Sequence, residues 1–368
     1  MNRHLLDALM GTLSGHLDLG KSRLETLALL VLGLINGRTV NLSHVASQIS
    51  GTASIPSSYR RLQRFFQHVR LDRDWQAAIV IKWLGIKPPW ILCLDRTNWK
   101  IGRRDVNILT LAVVTRRVRI PLMWTLLSSA GCSTRDERID LMRRYLTIFG
   151  AGSISWLLAD REFIGHSWME FLLENNIIFA IRLKESAIVR LQDGHTYHLG
   201  SLLRTRRKAK QILAQPGRFD TMTDRFGWPL TFIAKRLPDG EFLILATNGP
   251  AAAALGIYRK RWQIECLFGD SKTRGLNIED TRITDPDKLA TLLVLVTLAM
   301  AWAHVTAIAA QAGAAIKRRA HGYRHKSWFR TGFDHLRNWI LYKPDKAAHT
   351  WTKTWPNRRY KPKTLRVV

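Results

Sequence analysis

The sequence predicts an α/β fold flanked by helical segments. Apolar runs of strand length alternate with helical stretches in the middle of the chain, and the first 70 residues are rich in helix signals. Hydrophobic residues make up 46% of the 368 residues, which is enough for a large core. The predicted strands cover 90–95, 106–115, 119–128, 154–160 and 177–184, and the predicted helices between them cover 134–150 and 165–176.

Residues 1–75 are predicted to form a helical DNA-binding module. The stretch 23–38 carries an apolar stripe, 41–50 follows with Asn and Ser helix-start signals, and 57–70 is rich in arginine. This order of helix, turn and basic helix resembles a helix-turn-helix. A basic helix that only faces solvent is the alternative interpretation.

Two aspartates end apolar strands in residues 88–185, the predicted first part of the core. Asp95 closes the run WILCLD and Asp160 closes ISWLLAD. Charged groups at strand ends meet at one edge of an open sheet, where α/β proteins tend to place their sites. A single aspartate at the end of a strand is more often a turn residue or a helix cap. The presence of two such aspartates in one α/β layer is what favours a functional site.

The rest of the chain divides into three further segments. Turn signals separate short strand-like pieces over 186–248, which predicts a β-rich insertion. Helices resume over 249–315, the predicted second part of the core. Residues 316–368 combine many Lys and Arg residues with aromatics, and they are predicted to be a basic aromatic C-terminal tail that contacts phosphate or a second subunit.

The charge balance indicates nucleic acid as the partner. Lys and Arg number 57 against 28 Asp and Glu, which gives a net charge of +29. Such an excess is suited to neutralising phosphates, and an acidic membrane surface is the competing partner. The uncharged run 289–315 is long enough to cross a bilayer, but it contains His304 and Gln311 and no comparable second run follows. We therefore expect a buried core helix and no membrane partner.

The cysteines and the N-terminal segment favour a cytoplasmic protein. Cys93, Cys132 and Cys266 lie far apart with no CxxC pair, which predicts neither a disulfide framework nor a cysteine zinc site. The first 20 residues lack the basic segment and clean apolar run of a signal peptide. We expect a cytoplasmic, nucleoid-associated location.

Residues 258–272, YRKRWQIECLFGDSK, carry a third acidic residue of interest. On one continuous helix, Tyr258, Arg261, Glu265 and Lys272 would lie within an arc of roughly 60°. Arg261 precedes Glu265 by four positions, which is the weaker order for a simple helix ion pair. A solvated helix face is the alternative interpretation of this segment taken alone.

Three carboxylates with neighbouring cations predict metal-dependent phosphoryl transfer. Asp95, Asp160 and Glu265 offer oxygen ligands of the kind that Mg²⁺ takes. Two such ions can activate a water and stabilise the leaving oxygen when a phosphodiester is cleaved. Arg261 and Lys272, on the face of Glu265, would hold the scissile phosphate or a neighbouring one.

The acidic segment also resembles a known signature. The spacing Tyr258-x2-Arg261-x3-Glu265-x6-Lys272 matches in full the YREK signature of bacterial insertion-sequence transposases. These are the transposases of the insertion-sequence-four family, to which the transposases of transposons five and ten are related. Four residues at fixed spacing make this a specific motif.

Two further stretches carry the same resemblance. LDRTN around Asp95 and LLADREF around Asp160 resemble that family's first and second aspartate boxes, so the resemblance spans about 90 to 310. It implies a ribonuclease-H-like catalytic core, built as a mixed five-stranded sheet with helices and interrupted by a β-rich insertion. The N-terminal module and the basic tail match the family only in general character.

The resemblance also implies a role for each motif residue. The catalytic residues and metal ligands would be the three carboxylates, Asp95, Asp160 and Glu265. The implied contacts with the DNA backbone near the cut are Tyr258, Arg261 and Lys272.

Four other side chains near the motifs are of interest. The same resemblance implies that Trp262 and Trp228 would stack on a displaced base, although a core position is the alternative for Trp228. Arg161, next to the second aspartate, is a candidate for phosphate binding. Glu162 is a rival carboxylate to Asp160.

The function hypothesis is a cut-and-paste DNA transposase of a bacterial insertion sequence. It would cleave DNA at terminal inverted repeats and transfer strands into target DNA by a DDE mechanism with two Mg²⁺ ions, for which Mn²⁺ is an acceptable substitute. Double-stranded DNA is the expected partner, and family analogy implies a homodimer in the synaptic complex. The alternatives are a different ribonuclease-H-like metal nuclease and a non-catalytic basic DNA-binding protein.

Overall fold

A computed structural model describes residues 2–49, 51, 53–191, 195–204, 213–219, 229–237, 240–312, 314–320, 322, 324–353 and 355. Its strands are β1 (Trp90–Ile101), β2 (Arg104–Val114), β3 (Arg119–Leu126), β4 (Ile154–Ala159), β5 (Phe179–Arg182), β6 (Ile188–Leu191), β7 (Thr196–His198), β8 (Leu213–Phe219), β9 (Pro229–Arg236) and β10 (Phe242–Thr247). They form one mixed sheet with the order β3-β2-β1-β4-β5-β10-β9-β8-β6-β7.

The helices occupy both ends of the chain and the connections of the sheet. Those before the sheet are α1 (Arg3–Ser14), α2 (Lys21–Gly37), α3 (Leu42–Ser47), α4 (Ile55–His68) and α5 (Trp75–Leu84). The helices that connect strands of the sheet are α6 (Arg135–Phe149), α7 (His166–Glu174) and α8 (Leu199–Arg204). Those after it are α9 (Ala251–Tyr258), α10 (Trp262–Ser271), α11 (Pro286–Ala310), α12 (Trp328–Tyr342) and α13 (Pro344–Thr352).

The predicted mixed α/β class is confirmed. Strands β1, β2 and β3 pair antiparallel, whereas β4 runs parallel to β1 and β5 runs parallel to β4. Helix α6 leads from β3 to β4, and it begins with a capping box in which Thr134 and Glu137 exchange side-chain and backbone hydrogen bonds. Helix α7 leads from β4 to β5. This arrangement is consistent with the expected ribonuclease-H-like core.

Strand β1 is longer than the sequence indicated, because it forms a hairpin with β2. The predicted strand ended at Asp95, but β1 continues to Ile101 and pairs with β2 as far as Arg104. Asp95 therefore lies inside β1. Its position is nevertheless special, because the parallel pairing of β1 with β4 stops one residue earlier, at Leu94 and Ala159.

The segment predicted as a β-rich insertion extends the central sheet. Strand β10 pairs antiparallel with the core strand β5, and β9, β8, β6 and β7 follow outward from it. Within the described residues, these strands are thus continuous with the core sheet and do not form a sheet of their own.

Helix α11 lies at the centre of the protein. Asp285 caps its first turn by accepting the backbone N–H of Lys288, and Pro286 occupies the first helical position. The helix is long and apolar enough to cross a membrane by length and composition, but 83% of its most apolar 18-residue window is buried inside the protein. His304 is buried too, and burial lowers its pKa to about 3, so the neutral ring bonds the carbonyl oxygen of Arg119 through Nε2. The prediction of a buried core helix is confirmed.

Three of the C-terminal tryptophans are buried, which revises the prediction of a basic tail for the residues around them. Trp351 packs edge-on against Trp83 of α5 and Trp302 of α11, with ring centroids 4.8 Å apart in both pairs. Trp328 and Trp355 are buried as well. Residues 328–352 therefore form packed helices, because their apolar faces cover α1, α2 and α11.

The crossing of α11 and α12 depends on a glycine. A Cβ atom at Gly332 would overlap the carbonyl oxygen of Ala303 and lie 2.8 Å from the Cβ of Ala307. We expect Gly332→Ala to lower the free energy of unfolding by about 3 kcal/mol through overpacking. The matched control is Gly256→Ala in α9, where a Cβ meets nothing within 4 Å. It should leave stability unchanged or raise it by about 0.5–1 kcal/mol. Denaturant unfolding of both variants measures this, and equal effects would contradict the close crossing.

Candidate active site

The two aspartates lie side by side on neighbouring parallel strands. Asp95 follows Leu94 of β1, and Asp160 follows Ala159, the last residue of β4. Each carboxylate is fixed in the same way, because its Oδ1 accepts the backbone N–H of the next residue at 2.8 Å. Each side chain consequently directs Oδ2 toward the same space.

The third carboxylate comes from a helix that the sequence predicted to be longer. The stretch 258–272 is not one continuous helix, because a 3-10 turn over Arg259–Arg261 separates α9 from α10 and α10 ends at Ser271. Glu265 lies in the first turn of α10, and Gly269 does not interrupt that helix. The tighter 3-10 turn shifts the angular spacing between Tyr258 and Glu265, and Lys272 lies beyond the end of α10, so the four motif residues do not follow the spacing of one α-helix.

Two anchors place the 3-10 turn over the sheet. The hydroxyl of Tyr258 donates a hydrogen bond to the carbonyl oxygen of Ala159 in β4 at 3.3 Å. The Sγ of Cys93 in β1 approaches the carbonyl oxygen of Lys260 at 3.8 Å. Because these anchors hold the turn to β1 and β4, Arg261 projects between the two aspartates.

Arg261 contacts all three carboxylates. Its Nη1 lies 3.0 Å from Oδ2 of Asp95, and its Nη2 lies 3.2 Å from Oε1 of Glu265 and 3.9 Å from Oδ2 of Asp160. The Arg261 side chain is only 12% exposed, so these ion pairs are weakly screened. One guanidinium thus gathers three acidic groups that are far apart in the sequence.

The environment of the site shifts the pKa values of Asp95 and Arg261. Burial raises the pKa of Asp95 to about 7, and the nearby carboxylates of Glu265 and Glu162 add to this. The backbone N–H of Arg96 and the guanidinium of Arg261 act in the opposite direction. Burial also acts to lower the pKa of Arg261, but electrostatic interactions with Tyr258, Asp160, Asp95 and Glu265 outweigh it, so that this pKa is raised.

The other two YREK residues form their hydrogen bonds and ion pairs outside the three carboxylates. Tyr258 is 7% exposed, and its hydroxyl bonds the sheet backbone. Lys272 lies just beyond the end of α10, where its Nζ pairs with Glu279 at 2.8 Å and reaches the carbonyl oxygen of Asn98 at 3.4 Å. The structure therefore places Tyr258 close enough to Arg261 to affect the pKa of its guanidinium, whereas Lys272 is paired with Glu279.

Of the remaining candidates, two lie at the surface. Trp262 is 64% exposed and directly follows Arg261. The Arg161 side chain is exposed, while its backbone N–H bonds Asp160. Trp228 lies outside the described residues.

A bidentate ion pair beside the site was not predicted from the sequence. Arg96 donates from Nε and Nη2 to the two carboxylate oxygens of Glu162 at 2.8 and 3.0 Å, and from Nη1 to Asn107 at 3.1 Å. Glu162, the rival carboxylate, is thereby engaged by another arginine. The sequence offers one faint signal, since both candidate aspartates are followed by arginine, but nothing in it identifies the partner.

Comparison with known protein families decides the class of this protein. A family model described as a transposase DDE domain matches residues 86–302, which is more than half of the chain. The chain belongs to the transposase DDE domain family. This DDE transposase is therefore a metal-dependent enzyme that cleaves DNA and transfers DNA strands. DNA is its substrate and binding partner.

The other comparisons add little. No match is found among curated proteins. Among solved structures, the crystal structure of an endonuclease V from Bacillus subtilis aligns with 62% of this chain and 89% of that chain, at 10% sequence identity and a TM-score of 0.24. A likeness at that level carries no argument about the transposase.

The donor chemistry of the cluster suits a divalent metal, although its present geometry is closed. All three side chains offer oxygen ligands, as Mg²⁺ and Mn²⁺ require. In the part of the chain that the structure describes, however, no three His, Cys, Asp or Glu residues are arranged as a ready metal site. Arg261 lies between the three carboxylates and forms an ion pair with each of them, so its guanidinium occupies the position that a metal ion would take.

The raised pKa of Asp95 predicts a pH-dependent stability for the metal-free transposase. The folded state keeps a proton on Asp95 up to about pH 7, whereas the unfolded chain releases it near pH 3.8. The free energy of unfolding should therefore fall as the pH rises through this window, by at most about 4 kcal/mol. Denaturant unfolding in a chelator at about pH 5 and about pH 8 measures the change.

The matched variant is Asp95→Asn, which cannot ionise. Its stability should vary less between the two pH values than that of the wild type. Parallel pH profiles for the two proteins would show that burial does not perturb Asp95.

Proposed function

We propose that this chain is the cut-and-paste transposase of a bacterial insertion sequence, and a member of the insertion-sequence-four family whose YREK signature it resembles. The observation that carries the proposal is the convergence of Asp95, Asp160 and Glu265 on Arg261. Three carboxylates, from strand β1, from the residue that follows β4 and from helix α10, meet near the surface of a protein with a net charge of +29. A structural salt bridge would need only one of them.

In this proposal, Asp95, Asp160 and Glu265 are the catalytic carboxylates and would hold two Mg²⁺ ions, or Mn²⁺ in their place. When bound, such ions supply a nucleophilic water at neutral pH and stabilise charge on the phosphoryl oxygens. The chain orients the ligands, because the N–H bonds from Arg96 and Arg161 fix both aspartates. Burial of Asp95 keeps one side of the pocket dry, which strengthens electrostatic interactions there.

Arg96 and Glu162 act as positioning residues in this scheme. Their two hydrogen bonds tie β1 to the turn after β4, immediately beside both aspartates. Arg96 also donates to the carbonyl oxygen of Gly131 at 3.0 Å, so a third segment is joined to the same point. This bracing would hold the two Oδ2 atoms at a constant separation.

We propose that residues of the YREK motif, together with residues next to it and next to Asp160, contact DNA near the cut. Lys272 and Arg161 would bind backbone phosphates, and the exposed indole of Trp262 would stack on a displaced base. Arg261 would bind a phosphate bidentately. Tyr258 would contribute to the DNA contact through its anchoring of Arg261, and Trp228 stays a prediction from the sequence.

Helix α4 is proposed to read the ends of the element. Its buried face packs Leu62, Phe65 and Phe66 on the neighbouring helices. The side chains of the opposite, exposed face would recognise bases in the major groove, since Arg bonds guanine and Gln bonds adenine bidentately. These exposed residues are Arg60, Gln63, Arg64 and Gln67.

The larger organisation is also part of the proposal. The transposase would act as a homodimer in the synaptic complex, because two element ends must be held together before transfer. It would reside in the cytoplasm with the nucleoid, where its DNA lies. The division of the chain into segments 1–75, 88–185, 186–248, 249–315 and 316–368 stays a prediction.

The catalytic assignment predicts a large loss of activity from conservative changes. We expect Asp160→Asn and Glu265→Gln each to reduce cleavage and strand transfer by roughly a thousandfold or more, because each removes a charged metal ligand without changing shape. The substrate is a duplex carrying the repeats that flank the gene, incubated with Mg²⁺ while 3′ hydroxyls and joined products are mapped. Asp136→Asn, an exposed carboxylate of α6, is the control and should keep activity. Unchanged cleavage in either site variant would remove that residue from the catalytic set.

The assignment of α4 predicts a loss of end binding. Arg60→Ala and Arg64→Ala should each weaken binding to the repeat-bearing duplex by about 1–3 kcal/mol if the side chain contacts a base. Lys82→Gln in α5 removes one exposed charge elsewhere and serves as the control. Fluorescence anisotropy at fixed salt measures both. Equal small losses in all three variants would indicate only general charge attraction.

A further inference from the structure

Arg261 occupies the space that a shared metal ion needs. Its nitrogens lie 3.0 Å from Asp95, 3.2 Å from Glu265 and 3.9 Å from Asp160. Mg²⁺ binds oxygen ligands at about 2.0–2.1 Å. An ion on these oxygens would therefore stand next to the guanidinium with no anion between them, and the two cations would repel each other in a poorly solvated pocket. Metal binding in this structure requires the Arg261 side chain to leave.

One guanidinium is also an incomplete counterion for this pocket. It carries a single positive charge against three acidic side chains, and it reaches Asp160 only at 3.9 Å. A divalent ion offers more charge at a shorter distance. Arg261 therefore stabilises the cluster while DNA and metal are absent, without binding it as strongly as a metal would.

The pocket leaves Arg261 a way out toward solvent. The Glu265 side chain is 39% exposed and that of Asp160 is 29% exposed, whereas Asp95 lies on the buried side. Trp262, the next residue, stands at the surface. A phosphodiester that arrives at this open side is an anion to which a guanidinium binds with two parallel hydrogen bonds. DNA backbone can thus draw Arg261 away from the carboxylates.

We propose that Arg261 is an internal cation that keeps the carboxylate site closed until DNA and metal replace it. This inference rests on the proposed role of the three carboxylates. DNA frees the carboxylates by taking the guanidinium, and metal frees the guanidinium by taking the carboxylates. Binding of DNA and of metal is then positively coupled, and by linkage each increases the affinity for the other by the same factor. The transposase consequently holds metal poorly when it is away from DNA.

Measurements of metal affinity test this coupling between DNA and metal binding and do not depend on cleavage activity. The probe is Mn²⁺, titrated and followed by electron paramagnetic resonance, with the full chain alone or with a blunt duplex of arbitrary sequence. The Mn²⁺ that the duplex binds by itself is subtracted from a matched titration. We expect wild-type protein to bind Mn²⁺ roughly tenfold more tightly when DNA is present. Arg261→Gln should bind Mn²⁺ about that much more tightly without DNA, and DNA should then add little.

Two further variants make the result specific. Arg259→Gln removes a charge from the same 3-10 turn, but Arg259 is exposed and does not contact the cluster, so its Mn²⁺ affinity should match the wild type. Arg261→Lys keeps a charge but loses the fork that spans Asp95 and Glu265, and it should give an intermediate affinity. Thermal unfolding identifies any variant that fails to fold, and Arg261→Lys then replaces Arg261→Gln in the comparison.

The outcomes separate this inference from the proposed function. If Mn²⁺ binds wild type and Arg261→Gln equally, or if DNA has no effect on the wild type, Arg261 does not close the site. A double variant with Glu265→Gln in the Arg261→Gln background reports on the carboxylates themselves. If that double variant keeps tight Mn²⁺ binding, the metal-ligand assignment of Glu265 is wrong. If it loses Mn²⁺ binding while Arg261→Gln alone has no effect, only the inference about Arg261 fails.

Discussion

The ion-pair cluster around Arg261 is the interaction on which the account of this transposase depends. Acidic side chains that approach one another closely repel, and a fold can hold them together only by supplying positive charge or a proton. In this protein the charge comes from Arg261, and burial favours a proton on Asp95. The negative charge of the cluster is thereby partly compensated without a metal, and the proposed catalytic role would require Arg261 and Asp95 to leave this state.

The architecture around the cluster explains how such a costly arrangement is maintained. The parallel pair β1 and β4 brings Asp95 and Asp160 to one level, and the backbone N–H groups of the following residues orient them. Tyr258 and Cys93 fasten the turn that carries Arg261 to the same two strands. Helix α11, buried along most of its length, joins the sheet to the N-terminal helices and to α12 and α13. Hydrogen bonds orient the strand side of the site, and the helix side is the more exposed one, where DNA is proposed to bind.

Much of the fold follows from the sequence, because strand-length apolar runs and capped helices are local signals. Strands β2 to β5 and helices α6 and α7 were predicted within two residues of their observed bounds. The extension of β1 beyond Asp95 was not, since it depends on pairing with β2, which is a non-local contact. The burial of Trp351 against Trp83 and Trp302 was not predicted either. It also depends on non-local contacts, and the many positive charges around Trp351 indicated a solvent-exposed segment. The ends of two apolar strands and the YREK-like motif predict Asp95, Asp160 and Glu265 as site residues, but the three ion pairs of Arg261 and the pairing of Arg96 with Glu162 depend on packing between distant segments.

The most direct test of the central claim, that the three carboxylates form one metal site, is a crystal structure of the transposase with duplex DNA and Mn²⁺, analysed by anomalous scattering. We expect anomalous density within coordination distance of Asp95, Asp160 and Glu265, with the guanidinium of Arg261 bonded to a backbone phosphate. Mn²⁺ bound at another place, with Arg261 still paired to all three carboxylates while DNA occupies the protein, would contradict the account.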